Sequence, residues 1–168
     1  MRRAASILAV ALLAASATVA GAAAPRSAAL RRASPPGGGY SVELPATWRF
    51  ANASYPSDHA THLWFDPANA LRRMIVVLSG CVGCAERDGA PNPDAGVPPG
   101  ATDVVRVSAT EATFEQYTTT DDPWLAHGLS IVMRHDGAVV GFARVELWLP
   151  PAQRSLATAI LDSFALSG

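Results

Sequence analysis

Two cysteines, Cys81 and Cys84, have a spacing that could carry covalent chemistry. Thiol–disulfide enzymes place Cys-x-x-Cys at the start of a helix, whose dipole lowers the pKa of the first thiol. The residues that follow Cys84 include a glycine and two prolines, which do not continue a helix. We therefore expect a structural disulfide between Cys81 and Cys84, with an exported redox protein and a metal site as the alternatives.

A second set of residues could bind a ligand without reacting with it. Trp64, Phe142 and Trp148 occupy even-numbered positions in segments that alternate like strands, so we expect them on one face of a sheet. Such a face is either covered by another element or forms a groove for an apolar ligand or a protein partner. The predicted ligand-binding residues are Trp64, Phe142, Trp148, Arg144 and His62.

The remaining polar residues do not form a recognisable catalytic or metal-binding motif. His59 and His62 would point to opposite faces of a strand, which does not suit a shared metal ion. Asp121 and Asp122 precede a proline in the manner of a loop cap. The sequence has no glycine-rich phosphate loop, dinucleotide motif or nucleophile elbow. We expect no enzyme activity, no cofactor and no metal.

Residues 1–24 predict export. They begin with two arginines, continue with an apolar run from Ile7 to Ala20 and end with small residues before Pro25, which are the three parts of a signal peptide. The run is shorter than the ~20 apolar residues that span a bilayer, and no later segment has this character. We expect a secreted protein, extracellular or associated with the cell envelope, without a transmembrane segment after signal removal.

Length and charge limit the class of protein. The 168 residues suit one domain. Residues 25–39 are rich in Ala, Ser, Pro and Gly and predict a flexible linker, which leaves a single folded domain at 40–168. With 13 basic and 14 acidic residues, the chain has no excess of positive charge with which to bind nucleic acid.

Apolar periodicity predicts mainly strands. Pairing segments at 129–134 and 139–149 flank Asp136-Gly137, the typical turn of a hairpin. Ser108–Glu111 fits a capping box that starts one helical turn at most. Residues 80–100 contain many glycines and prolines and predict an irregular loop. Further strands are predicted at 40–44, 61–66, 74–78, 104–107 and 114–120.

One helix is predicted at the end of the chain. Pro150-Pro151 can begin a helix. Proline has no backbone N–H, and the first N–H of a helix makes no intrahelical hydrogen bond, so no hydrogen bond is lost. Leu156, Ile160 and Phe164 recur at intervals of four residues and form one apolar stripe. Together these elements predict an α+β fold, with a mainly antiparallel sheet and a C-terminal helix packed on it.

Several segments resemble the PsbP-like family, which is named for an extrinsic subunit of photosystem II and includes exported actinobacterial proteins. Gly39–Trp48 is similar to the opening Gly-x-x-x-x-x-Pro-x-x-Trp pattern of the family. Phe65-Asp66-Pro67 is similar to the end of its next strand, and Asp136-Gly137 and Ser163-Phe164 to its hairpin and its final helix. The resemblance implies an α/β/α sandwich that serves as a non-catalytic binding or assembly module.

The function that fits these observations is a secreted, non-catalytic binding or accessory module of the bacterial cell envelope. Its partner would be a protein or an apolar ligand. Two alternatives stay open, an exported thiol–disulfide redox protein that uses Cys81 and Cys84, and a carrier of an apolar envelope ligand.

Overall fold

The computed structural model of the protein describes residues 29–53, 59–117 and 125–167. The predicted signal peptide, residues 1–24, lies outside the described residues. None of the helices within these three ranges is long and apolar enough to cross a membrane.

The described chain contains twelve strands, two α-helices and a 3-10 turn at Pro151–Gln153. The helices are α1 (Val82–Ala85) and α2 (Arg154–Asp162). The strands are β1 (Leu30–Ala33), β2 (Tyr40–Pro45), β3 (Arg49–Ala53), β4 (His59–Asp66), β5 (Asn69–Ser79), β6 (Glu86–Arg87), β7 (Ala90–Pro91), β8 (Thr102–Arg106), β9 (Glu111–Tyr117), β10 (Leu125–His135), β11 (Ala138–Leu149) and β12 (Ala165–Leu166).

Seven strands form the main sheet, in the order β3-β4-β5-β11-β10-β9-β8. Every pairing in it is antiparallel. The predicted hairpin is confirmed, since Asp136 and Gly137 join β10 to β11 with φ angles of 48° and 83°. Two positive φ angles give the turn the twist that matches the strands it connects. The predicted α+β fold with a mainly antiparallel sheet is confirmed.

The core lies between one face of this sheet and a second layer. That layer contains α2 and a small sheet with the order β1-β2-β12. Of the predicted apolar stripe, Ile160 is fully buried in this core and Leu156 partly buried, whereas Phe164 is buried beyond the end of α2. We call this face of the main sheet the core face, and the opposite one the outer face.

The outer face is partly covered by the segment 80–100, which contains α1 and the β6–β7 hairpin. The backbone N–H of Gly96 donates a hydrogen bond to Ser130 Oγ at 3.0 Å. A Cβ at Gly96 would lie 2.8 Å from Ser130 Oγ and 3.2 Å from Phe142 Cδ2. The chain therefore passes close over the sheet at this point, and α2 and the segment carrying α1 lie on its two sides.

One prediction from composition is wrong, and one strand was not predicted. Leu30–Ala33, expected within the flexible linker 25–39, forms strand β1 by antiparallel pairing with β2. Ala33 is 6% exposed, so part of this segment is buried in spite of its polar composition. Arg49–Ala53, for which no element was predicted, forms β3. Edge strands of this kind are stabilised by pairing with distant residues, which a local pattern does not show.

The capping box at Ser108–Glu111 does not start a helix. The Ser108 hydroxyl accepts a hydrogen bond from the Thr110 N–H at 3.2 Å, and the N–H groups of Val107 and Ser108 donate to the carbonyl of Glu111. These bonds close the turn between β8 and β9. Strand pairing on both sides of the turn overrides the local helical signal.

Candidate binding face

The strand register separates the five residues predicted to bind a ligand. Trp64 lies opposite Met74 of β5, and Met74 lies opposite Leu147 of β11. Residues directly opposite each other in a sheet share a face, so Trp64 is on the same face as Leu147. Trp148, the next residue of β11, is on the outer face. The expectation that Trp64 and Trp148 share a face is therefore wrong, because the β5–β11 register pairs even with odd positions.

Trp64 belongs to the core. It is 4% exposed, and its indole Nε1 donates a hydrogen bond to Tyr40 Oη at 2.9 Å. Tyr40 is fully buried, and burial raises the pKa of its phenol to about 12, although the hydrogen bond from Trp64 opposes the shift. This pair fixes the packing of β2 on β4.

His62 is also on the core face, opposite Val76 of β5. Its ring lies 5.6 Å from that of Tyr40 and 5.5 Å from that of Phe50. Burial lowers the pKa of His62, because the charged imidazolium loses its hydration. The structure does not bring His62 together with Trp148, which corrects the predicted grouping.

Phe142, Arg144 and Trp148 do share the outer face, as predicted. Phe142 is half-buried beneath Gly96. Arg144 lies two residues away on the same face, and its Nε is 3.1 Å from Glu146 Oε1. At this end of the face the segment 80–100 covers the sheet and the arginine has a carboxylate beside it.

The other end of the outer face carries a row of alternating arginines and aromatic residues. Arg49 lies opposite Phe65, Phe65 opposite Arg73, and Arg73 opposite Trp148. Adjacent strands are ~4.8 Å apart, so the row extends over ~14 Å. We call these four residues the arginine–aromatic row. It joins β3, β4, β5 and β11.

The two arginines of the row have no carboxylate partner among the described residues. Other arginines do, as in the pairs Arg72–Asp66 at 3.5 Å, Arg106–Asp94, and Arg154–Glu115. Arg49 is exposed and Arg73 is half-buried. Within the described residues the row therefore has two positive charges without a neutralising acid, in a chain whose net charge is −1.

Trp148 is the most enclosed member of the row, with 9% of its surface exposed. The guanidinium carbon of Arg73 lies 5.6 Å from the centroid of the Trp148 ring, a cation–π arrangement. The buried indole Nε1 of Trp148 has no acceptor in the described part of the chain. A buried N–H without an acceptor is uncommon in proteins and costs about 1–3 kcal/mol.

Cys81 and Cys84 are bonded, with their Sγ atoms 1.95 Å apart. They lie in the first turn after β5, where the Cys81 N–H donates to Ser79 Oγ at 3.2 Å. Cys81 is the N-cap residue of α1, a helix of only four residues that lies where an irregular loop was predicted. A single turn carries little of the dipole that activates thioredoxin-type cysteines. The redox alternative stays a prediction.

A polar cluster that the sequence did not reveal connects α2 to the sheet. Arg154 of α2 holds both carboxylate oxygens of Glu115, and Glu115 Oε1 is 3.5 Å from His127 Nδ1. His127 is 7% exposed, and burial is the main cause that lowers its pKa. This cluster ties three elements together. No group of three or more His, Cys, Asp or Glu side chains suited to a metal occurs within 29–53, 59–117 and 125–167.

No protein-family model and no curated protein matches the chain in sequence. Solved structures do match its fold. The solution structure of cyanobacterial PsbP from Synechocystis sp. PCC 6803 superposes with a TM-score of 0.53 at 15% identity, covering 83% of this chain and 94% of that one. The chain has the PsbP-like fold. The crystal structure of the Saccharomyces cerevisiae Ran-binding protein Mog1p also matches, with a TM-score of 0.51, 11% identity and coverage of 83% and 96%.

The PsbP-like fold accounts for the residues that sequence reasoning missed in the arginine–aromatic row. Arg49 was missed because β3 has no alternating pattern. Phe65 and Arg73 were missed because they occupy odd positions, whereas Trp148 is at an even one. These residues become neighbours only through the pairing register of β3, β4, β5 and β11 in the PsbP-like sheet.

Proposed function

We propose that the protein is a secreted, non-catalytic accessory module of the bacterial cell envelope that binds a partner protein through its outer face. The observation that carries this proposal is the arginine–aromatic row, two unneutralised arginines beside Phe65 and Trp148 on a face without a long helix over it in the described residues. Aromatic residues and arginines are the types most enriched at the centres of protein interfaces.

The fold supports a binding role. The yeast protein with a similar fold is named as a Ran-binding protein, so a fold of this kind occurs in a protein that binds another protein. The partner of the present chain would differ, because fold similarity alone does not transfer a ligand. The specificity would lie in the side chains of the outer face.

Export is supported by two independent features. Residues 1–24 have the composition of a signal peptide. The Cys81–Cys84 disulfide suits an oxidising compartment outside the cytoplasm. N-terminal sequencing of the protein from host culture medium should give a start near Ala23 or Pro25. Recovery of an intact Met1 terminus in the membrane fraction would contradict secretion.

Binding at the outer face is tested by site-specific photocrosslinking in the host. A benzophenone amino acid replaces Phe65, an aromatic residue of the row, or Ala159, which is exposed on α2. We expect a discrete adduct from position 65 that excess unmodified protein abolishes, and none from position 159. The purified adduct partner should then bind the mature protein and not the Phe65→Ser variant. Identical adduct patterns from both positions would overturn the proposal.

A further inference from the structure

We infer that the arginine–aromatic row is a carboxylate-binding site, and that the partner segment it takes is an acidic stretch of protein chain. This inference rests on the proposed function and specifies its ligand. It is carried by the charges of the outer face and by the geometry of Arg73 on Trp148.

The charges of the outer face are uneven along its length. Near the segment 80–100, Arg144 and Arg106 each have a carboxylate beside them, from Glu146 and Asp94. At the row, Arg49 and Arg73 have none among the described residues. A ligand that brings two carboxylates would neutralise this end of the face, and charge complementarity of this kind selects and orients partners.

The spacing of the row suits an extended acidic segment. Arg49 and Arg73 are on β3 and β5, two strand spacings apart, or ~9.6 Å between their backbones. In an extended peptide, side chains two residues apart lie ~6.8 Å from each other on one side. Two such carboxylates are within reach of the flexible arginine side chains, which can each form a bidentate pair.

Trp148 and Arg73 are arranged to receive the acid. The guanidinium of Arg73 lies 5.6 Å from the Trp148 ring centroid. Because this contact already restricts the Arg73 side chain, the side chain loses less conformational freedom when a ligand binds. Apolar contact with Phe65 and Trp148 would accompany the ion pairs and exclude water from them.

Two other anionic partners fit less well. Nucleic acid is bound by neutralising many phosphates, and the row has only two unpaired arginines. An anionic lipid surface attracts clusters of several basic residues, which the row also lacks. Carboxylates of a protein segment match a site of two arginines set beside two aromatic rings.

The test measures binding of a fluorescent oligo-glutamate peptide to the mature protein by fluorescence anisotropy. An oligo-glutamine peptide of the same length and vesicles of phosphatidylglycerol are the comparison ligands. We expect binding of oligo-glutamate alone, weakened by salt. Arg49→Gln combined with Arg73→Gln should weaken it about tenfold or more, since each loses a charge-assisted hydrogen bond. Arg73→Lys, which keeps the charge but cannot form a bidentate pair, should weaken binding less than Arg73→Gln does.

The matched control is Arg32→Gln, because Arg32 is exposed on β1 in the other layer of the molecule. It should bind oligo-glutamate like the unaltered protein. Equal loss in the control and the double variant, or tighter binding to the vesicles than to oligo-glutamate, would overturn the inference. Absence of oligo-glutamate binding together with a specific crosslink at position 65 would reject the acidic ligand and leave the proposed binding face intact. Failure of both experiments would reject the two together.

Discussion

The disulfide between Cys81 and Cys84 closes so short a loop that it constrains the unfolded chain only slightly, by at most ~2 kcal/mol. We expect the variant with both Cys81→Ala and Cys84→Ala to unfold cooperatively, with a small loss of stability in urea. Its effect should be local, because Asn92 Nδ2 donates to the Cys84 carbonyl and holds the neighbouring loop. Loss of cooperative unfolding would show that the bond stabilises the whole domain.

The same pair of variants tests the redox alternative. A thiol–disulfide enzyme accelerates the reduction of a protein disulfide substrate by dithiothreitol, and the double variant would lose that activity. We expect no acceleration by either protein. A rate increase that depends on both cysteines would establish the redox alternative in place of the structural role.

At the scale of elements, the β9–β10 pairing depends on Gly128. A Cβ at this position would lie 2.1 Å from the ring of Phe114 on the neighbouring strand, so Phe114 occupies the space that a side chain would take. We expect Gly128→Ala to destabilise the fold by at least the ~1–3 kcal/mol typical of overpacking. Urea unfolding followed by circular dichroism measures this.

Two further variants make this prediction specific. Gly83→Ala adds the same methyl group where nothing lies within 4 Å, and it should change stability little. Phe114→Leu in the Gly128→Ala background should recover part of the lost stability, because the smaller leucine side chain leaves room for the added methyl group. Equal effects of Gly128→Ala and Gly83→Ala on stability would show that the ring of Phe114 can move aside without destabilising the fold.

For the molecule as a whole, we expect two histidines to make the folding stability depend on pH. Burial lowers the pKa of both His62 and His127 in the folded state. As the pH falls below ~6.5, the unfolded chain therefore takes up protons before the folded one, and folding stability decreases. The stability that the two neutral histidines contribute is fully present above pH ~6.5. It is lost as the pH falls towards their lowered pKa values in the folded state.

Thermal unfolding at pH 7.5 and pH 5.0 measures this dependence. We expect a lower melting temperature at pH 5.0, and a smaller difference in the variant with His62→Gln and His127→Gln. His135→Gln is the control, because its side chain is 79% exposed. A difference that persists unchanged in the double variant would assign the acid sensitivity to other groups.

Local signals predicted much of this architecture and none of its register. Asp136-Gly137 identified the hairpin, and Pro150-Pro151 marked the start of the final helix. Both signals could be recognised because a turn and a helix start are determined by residues adjacent in the sequence. The relation between Trp64 and Trp148 depends on pairings across β4, β5 and β11, which are far apart in the chain. A shift of one residue in such a pairing transfers a whole strand's side chains to the other face. The arginine–aromatic row was therefore beyond reach from sequence alone.

Binding of a partner's acidic segment at Trp148 and Arg73 is tested most directly by nuclear magnetic resonance, through the signals of the indole N–H groups. The chain has four tryptophans, and the signals of Trp148 and Trp64 are to be assigned with the variants Trp148→Phe and Trp64→Phe. Saturation with oligo-glutamate should move the Trp148 signal, because carboxylates paired with Arg73 would lie beside the Trp148 ring. The Trp64 signal should stay, since its N–H is bonded to Tyr40 in the core. An unmoved Trp148 signal at saturation would contradict the claim.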